Sequence, residues 1–493
     1  MEYLKFPLRK NTMSTITSPT SVTATEAVAV KHKPLGLAQE FAKRVVAMKA
    51  SDLPQEAFHW AHVGILDTIG VTLAGSTEPT ATLAAQALDL SEGPALILGT
   101  HQRVGMLDAA LINGAASHAL DFDDCNNTIG GHPSAPVLSA LLPLADALGS
   151  SGEDFVTAYI AGFEVETKLG MAVNMHHYMK GWHPTATLGT FGAAAAAAKL
   201  MGLDAEQTGV ALALAASFAS GLKANFGTMT KPLHVGHCAR NGLFAARLAS
   251  KGYTANAAKV FEHKQGFLDV FNGPGTYDVE RALDAWARPL DIIQPGIAIK
   301  QYPCCGSTHP AIDAMLDIVR RHNPDVQAVE RVDVAVHSRR LEHTNRPNPG
   351  SPLDAKFSLQ YVMARALIEQ HIGVADFEGD AYRDSRVHDF LPRVHVQAYN
   401  ETGLGGFDFE NHFGGIVKVT MKNGTLFEAQ VDQPLGRTSA NPLPEALLRE
   451  KFNLCAATVL RQEAIGPIAD SIWQVESLPS MRTLSQLIQQ ATH

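Results

Sequence analysis

No apolar run in this sequence reaches the ~18 residues needed to span a bilayer, and the Ala-rich stretch after Phe191 is interrupted by Lys199. Clustered positive charge is equally scarce. Lys and Arg number 40 against 49 Asp and Glu, a formal net charge of −9, and no cationic stripe is interleaved with aromatics. That balance argues against nucleic acid as a partner. An anionic substrate would need a local basic pocket, since the overall field opposes it. There are five cysteines, Cys125, Cys238, Cys304, Cys305 and Cys455. An odd count with irregular spacing does not make a disulfide framework, and a reducing cytoplasm fits best. The glycine-rich phosphate loop, the dinucleotide fingerprint, the nucleophile elbow and the CxxC and HExxH zinc signatures are all missing. The adjacent Cys304 and Cys305 lack the spacing of iron–sulfur ligands. Neither a metal nor an organic cofactor is expected, so any chemistry falls to side chains.

The chain does have enough apolar residues, 46% of its 493, for an ordinary globular protein. Its length exceeds the roughly 250–300 residues one core supports, so two domains are expected. Residues 1–33 are rich in Ser, Thr, Ala and Val and lack the apolar middle of a secretory signal. They read as a disordered tail, with Met13 as an alternative start. Helical periodicity then runs from Leu35 to Ala287. Phe58, Ala61, Ile65, Ile69 and Leu73 recur at helical spacing before Gly75, a plausible stop. Ala109–Leu120 and Val137–Leu148 read as helices flanking a polar loop. Residues 188–222 are so rich in Ala and Gly that close-packed buried helices are expected. Near Pro295 the pattern changes. Residues 330–337 and 416–421 alternate as strands do, Lys422-Asn423-Gly424 suggests a hairpin turn, and Ser358–Glu369 is helical. From Pro444 the chain is helical again. The fold class is therefore mainly α. A large discontinuous all-helical domain (34–295 and 441–493) carries a smaller α+β lid domain (296–440).

Five polar clusters interrupt the apolar elements. Residues 118–136 hold Asp121, Asp123, Asp124 and His132 on a Gly-containing loop. The structural alternative is a capping turn. Residues 180–192 hold His183, with Thr185 and Thr187 as candidate caps of a helix start that would suit a carboxylate. Residues 224–242 hold Thr230, Lys231, His234, His237 and Arg240. A lysine drawn into a low-dielectric cleft can act as an acid or base, whereas a surface lysine would merely snorkel. Residues 300–313 hold Lys300, Cys304, Cys305 and His309, where small buried cysteines are the more common explanation. Residues 343–358 hold His343 and Arg346, a candidate carboxylate grip or a plain Pro/Gly-containing connection. Histidines and lysines on loops, with no metal, nucleotide or nucleophile motif, suit general acid–base work on an anion.

These clusters resemble the MmgE/PrpD family, which includes 2-methylcitrate dehydratase, cis-aconitate decarboxylase and iminodisuccinate epimerase. The resemblance runs from about Leu35 to about Glu476. It rests on DFDD…HPSAP, GWHPTATLG, TKPLH, YPCCGSTH and AKFSLQY, which occur in the family's order. It implies a helical domain with an α/β lid, a site between them, and a homodimer. Motif by motif, it implies site roles for Asp121, His132, His183, Lys231 and Lys300. The sequence departs from the animal-type decarboxylase at Cys305, where that branch has His, and at His343, where it has Tyr. One extra residue also precedes His132.

The expected function is a cofactor-independent lyase acting on a small di- or tricarboxylic acid by proton transfer next to a carboxylate. It would be dehydratase-like (2-methylcitrate or citrate) or decarboxylase-like (cis-aconitate). The catalytic set would be His132, His183, Lys231 and Asp121, with Asp121 orienting the histidines. Lys300, Cys305, Arg346, His343, Thr230 and His234 would bind substrate. The alternatives are an epimerase of an iminodisuccinate-like dicarboxylate and a non-catalytic polycarboxylate-binding protein. A thiol- or zinc-dependent hydrolase using Cys304 and Cys305 is a third.

Overall fold

In a computed structural model, which describes residues 35–399 and 412–493, the periodicity becomes a stack of helices. They are α1 (Leu37–Ala47), α2 (Gln55–Gly75), α3 (Met106–Ser117), α4 (Ser134–Leu148), α5 (Gly152–Val173), α6 (Gly189–Leu200), α7 (Ala205–Phe218) and α8 (Thr230–Ser250). A short antiparallel ladder, β1 (Glu92–Leu96) with β2 (Arg103–Val104), lies between α2 and α3. The tail expected over residues 1–33 lies outside the described residues.

Helix α2 is apolar around most of its circumference and is accordingly buried almost throughout. The Ala run behaves as its composition predicts, with Ala193 through Ala198 wholly inaccessible. Small residues set the distances between helices. A Cβ on Gly242 of α8 would come within 2.6 Å of Ala193 Cβ on α6. One on Gly114 of α3 would stand 2.6 Å from Gly236 Cα on α8. Helices α3 and α8 therefore touch backbone to backbone, which fixes where their polar ends meet.

After Pro295 the chain forms a four-stranded sheet of β3 (Val329–Val336), β4 (Val394–Ala398), β5 (Gly415–Met421) and β6 (Leu426–Val431), in the order β4-β3-β5-β6. Strands β3 and β4 are parallel and need a crossover, which contains α10 (Leu359–Glu369). Helix α9 (His309–His322) precedes β3. Val332, Val334 and Val336 of the sheet share a core with Ile312, Met315 and Ile318 of α9 and with Val362 and Met363 of α10. The expected hairpin turn joins β5 to β6, with Gly424 at φ +85°.

Of the C-terminal helices α11 (Glu445–Ala456), α12 (Gln462–Trp473) and α13 (Arg482–Ala491), the first two pack on α2 and the third packs on α12 and α4. Phe452, Ile468, Ile472 and Ile488 join Phe58, Ile65 and Ile69 in one core. Each such side chain contributes about 1.5–3 kcal/mol on burial.

Helix α2 ends at Gly75, where the sequence suggested a stop, with Ser76 capping it. Helix α3 stops at Ser117 rather than Leu120. The next turns carry His118 and Asp121, whose side chains enter a buried polar cluster that a continued helix would not let them reach.

Candidate active site

The cluster is built on the loop from His118 to Pro133. Asp121 has φ +52°, the left-handed region that Asp tolerates better than most residues. Further along, Cys125 and Ala298 exchange two backbone hydrogen bonds of 2.7 Å, laying the segment that carries Lys300 beside the loop. Lys231 sits on the first turn of α8, which the α3–α8 contact brings to the same place.

Three ammonium groups converge on Leu120 and Asp121. Lys231 Nζ donates to Asp121 Oδ1 at 2.5 Å. Lys300 Nζ donates to the Asp121 carbonyl at 2.5 Å and lies 3.1 Å from Oδ2. Lys356 Nζ donates to the Leu120 carbonyl at 2.6 Å. Asp121 and the three lysines are all buried. Burial opposes the Asp121 charge, but Lys231 and Lys300 outweigh it and hold the carboxyl well below its usual range. Burial likewise opposes the Lys300 charge, and Asp121 overcomes it, raising the pKa. Lys356 has no such direct partner, and burial brings it down to about 8.

Asp123 joins two histidines. His118 Nδ1 lies 2.9 and 2.8 Å from its two oxygens, and His132 Nδ1 lies 3.2 Å from Oδ2. The two rings meet edge to face, 4.5 Å apart. Burial pushes His118 down to about 3, so it is neutral. Its Nδ1 then carries the proton given to Asp123. Its Nε2, buried and without a hydrogen-bond partner, is left as a base. Burial would also neutralise His132, but Asp123 and then Cys125 outweigh it and push it up to about 10. Its Nε2 stands 3.8 Å from Asp121 Oδ1.

His183 enters from another direction. Bridging of Trp182 with Leu222, and the His183 N–H donated to the Gly221 carbonyl at 3.0 Å, lay its segment against the approach to α8. Its Nδ1 is 3.2 Å from that of His234, and its ring stacks at 5.7 Å on His118. Burial, with His118 and Lys231 nearby, holds its pKa well below 6.5. Of His118, His132 and His183, one is therefore an imidazolium and two are neutral imidazoles.

Asp121, His132, His183, Lys231, Lys300 and His234 thus come together as residue type suggested. Thr230 opens α8 beside them. Cys305 lies near Lys300. Burial would raise its thiol, but His343 outweighs this and brings it down to about 6. His343 Nε2 is also 2.9 Å from Ser307 Oγ. Arg346 is paired with Asp354 and packs over Phe357, whose ring also faces Lys231. Three details of the sequence reading change. Asp121 does not orient both histidines, because the lysines occupy it; Asp123 holds His132. Thr185 caps no helix but accepts the His132 N–H at 3.1 Å. Thr187 bonds His177 Nε2 at 2.8 Å, and the helix they begin has four residues.

Sequence reasoning missed His118 and Lys356 as site residues, and it named Asp123 in the loop cluster without giving it a role. His118 and Asp123 stand inside the HALDFDD segment, where alternating polar residues were the available signal. Asp124 points elsewhere: it accepts from Ser134 Oγ at 2.5 Å, and burial raises its pKa well above the usual range.

His118, Asp121, Asp123 and His132 each offer one ligand atom, all within 4.8 Å of one another, a spacing compatible with a metal ion. The donor set fits one poorly. Asp121 already binds two ammonium groups, and His132, pushed up to about 10 beside Asp123, is protonated and has no lone pair to offer.

Residues 39–280 match the model of the MmgE/PrpD N-terminal domain, and residues 302–474 that of the MmgE/PrpD C-terminal domain. The chain is 31% identical over 464 residues to cis-aconitate decarboxylase of Homo sapiens, spanning 92% of this chain and 94% of that one. It is 26% identical over 479 residues to cis-aconitate decarboxylase of Aspergillus terreus, spanning 92% and 96%. To 2-methylcitrate dehydratase of Salmonella typhimurium it is 22% identical over 442 residues, spanning 83% and 88%.

Proposed function

We propose that this chain, which belongs to the MmgE/PrpD family, is a lyase that moves a proton beside a carboxylate of a small di- or tricarboxylic acid, without a metal or organic cofactor. One observation carries this reading. Within a single buried cluster, His132 is pushed up to about 10 while His183 is held well below 6.5. Groups driven apart in this way take the acid and base roles of proton transfer. The relatives named for cis-aconitate and 2-methylcitrate support a polycarboxylate substrate.

In this mechanism Lys231 and Lys300 exchange part of their hold on Asp121 for a substrate carboxylate. Neutral His183 takes the proton from the adjacent carbon, and the lysines stabilise the enolate-like charge that develops. In a dehydration, His132 protonates the departing hydroxyl. The C–O bond breaks, water leaves and an alkene forms. In a decarboxylation no proton is removed first and His183 stays neutral; the C–C bond to the carboxylate breaks and its electron pair stays on carbon. Carbon dioxide leaves, and His132 supplies the proton for the new C–H bond. On the same reading, residues 296–440 form a lid domain that brings Lys300 and Cys305 to a helical body.

An epimerase keeps one observation in its favour. Cys305, brought down to about 6 beside His343, would be a second protonatable group. Incubation with 2-methylcitrate, citrate, cis-aconitate and iminodisuccinate in deuterated water, followed by NMR, separates the outcomes. An alkene or loss of carbon dioxide supports the lyase. An inverted centre carrying deuterium supports the epimerase. No exchange with any of the four overturns proton transfer.

A further inference from the structure

We propose that Arg437 is a substrate-binding residue that grips the carboxylate of the substrate farther from the reacting carbon. This rests on the polycarboxylate reading above and adds a residue to it. Arg437 lies in the turn between β6 and α11. The turn is fixed by the Ile299 N–H donated to the Gly436 carbonyl at 2.8 Å. Its guanidinium lines a recess together with Cys125, Lys300, Gly306 and His309. Lys300 belongs equally to the Asp121 clamp, and Cys125 Sγ is 3.8 Å from His132 Nδ1. The recess therefore continues the histidine–lysine cluster.

The guanidinium lies near the Cys125 and Cys305 thiols but has no carboxylate to neutralise it among the described residues. Nη2 donates to Asn127 Oδ1 at 2.5 Å, and Cζ stands 4.3 Å from the Phe413 ring centre. Its Nε is buried with no hydrogen-bond partner, and no carboxylate among the described residues forms an ion pair with it. Arg346, by contrast, already has Asp354. A buried guanidinium without a carboxylate partner is costly, and its planar fork matches a carboxylate. Gly306 leaves the space. A Cβ there would sit 3.8 Å from Arg437 Nη1 and 4.0 Å from Lys300 Cε, between the two cations. Arg340 lies on the same aromatic ring, with its Cζ 5.0 Å from the Phe413 centre. It adds positive charge near the recess. The local basic pocket that an acidic protein needs for an anion is thus completed by a residue outside every sequence motif.

The test compares glutarate with glutaramate, in which one carboxylate is an uncharged amide, by calorimetric titration of the full-length protein and its Arg437→Gln variant. The wild type should prefer glutarate by about 10-fold or more, and Arg437→Gln should reduce that ratio to near one. A merely structural role, or one as counter-ion to Cys125 and Cys305, would weaken both ligands alike and keep the ratio. That result would overturn the assignment while leaving the polycarboxylate reading intact. Failure of the wild type to bind glutarate would overturn both. If Arg437→Gln does not fold, Arg437→Lys keeps the charge and stem, and its ratio should fall several-fold; an unchanged ratio would reject the proposal.

Discussion

Lys300 donates to the backbone carbonyl of Asp121 at 2.5 Å and lies 3.1 Å from its carboxylate, although 179 residues separate them in the chain. This one side chain ties the segment entering the mixed α/β part to the loop after α3. With Lys231 it leaves Asp121 with two buried cationic partners.

Asp121→Asn removes the charge that both lysines share. Breaking a buried ion pair by deleting one partner costs about 3–5 kcal/mol. Urea unfolding at pH 7 should show a loss of that order. A loss below about 1 kcal/mol would mean that the lysines find equivalent partners elsewhere.

The pH dependence has a definite sign. His132 is raised from 6.5 to about 10, so the stability it contributes is fully present below 6.5 and fades as pH rises through about 10. His118 acts oppositely. Lowered to about 3, it makes the unfolded chain bind the proton first, so stability falls as pH drops from 6.5 toward 3. Asp123→Asn should lower the His132 pKa by at least about one unit, since each unit reflects about 1.4 kcal/mol of interaction. The alkaline limb of the turnover profile should move down with it. An unchanged limb in the variant would remove His132 as the acid.

His183→Ala should keep its fold and lose roughly 10²–10⁴-fold in turnover, the usual contribution of a positioned acid or base. Circular dichroism checks the first half and steady-state kinetics the second. Full activity would take His183 out of the mechanism.

The double variant Cys304→Ser/Cys305→Ser should retain measurable turnover, because neither thiol is the proposed proton donor or acceptor at the reacting carbon. Complete inactivation of a folded double variant would favour thiol chemistry instead.

Turnover should survive dialysis against a strong chelator, since Asp121 is held by lysines and His132 is protonated. Strict dependence on an added divalent ion would overturn the cofactor-free mechanism and make the His118–Asp121–Asp123–His132 group its site.

Much of the fold was legible locally. The strand alternation at 330–337, the Asn423-Gly424 turn and the apolar periodicity of α2 each arise from neighbours in sequence. The histidines and lysines of the site were also legible as candidates, because acid–base work on an anion restricts the useful residue types. Arg346 carried the same signal as Arg437, but Asp354 pairs with the former and no carboxylate pairs with the latter among the described residues.

The sequence by itself determined the helical body, the mixed segment and the family's motifs in order. The tertiary structure decided what each polar group does. Asp121, Asp123 and Asp124 are nearly consecutive and chemically alike, yet they meet three fates. The first is clamped by Lys231 and Lys300, the second is shared by His118 and His132, and the third is driven toward its neutral form beside Ser134. Arg437 reaches Asn127 across 310 residues. Chain order specifies which side chains are available. A carboxylate's charge, by contrast, depends on burial and on the cations within a few ångströms, and only the packing of distant segments brings those together.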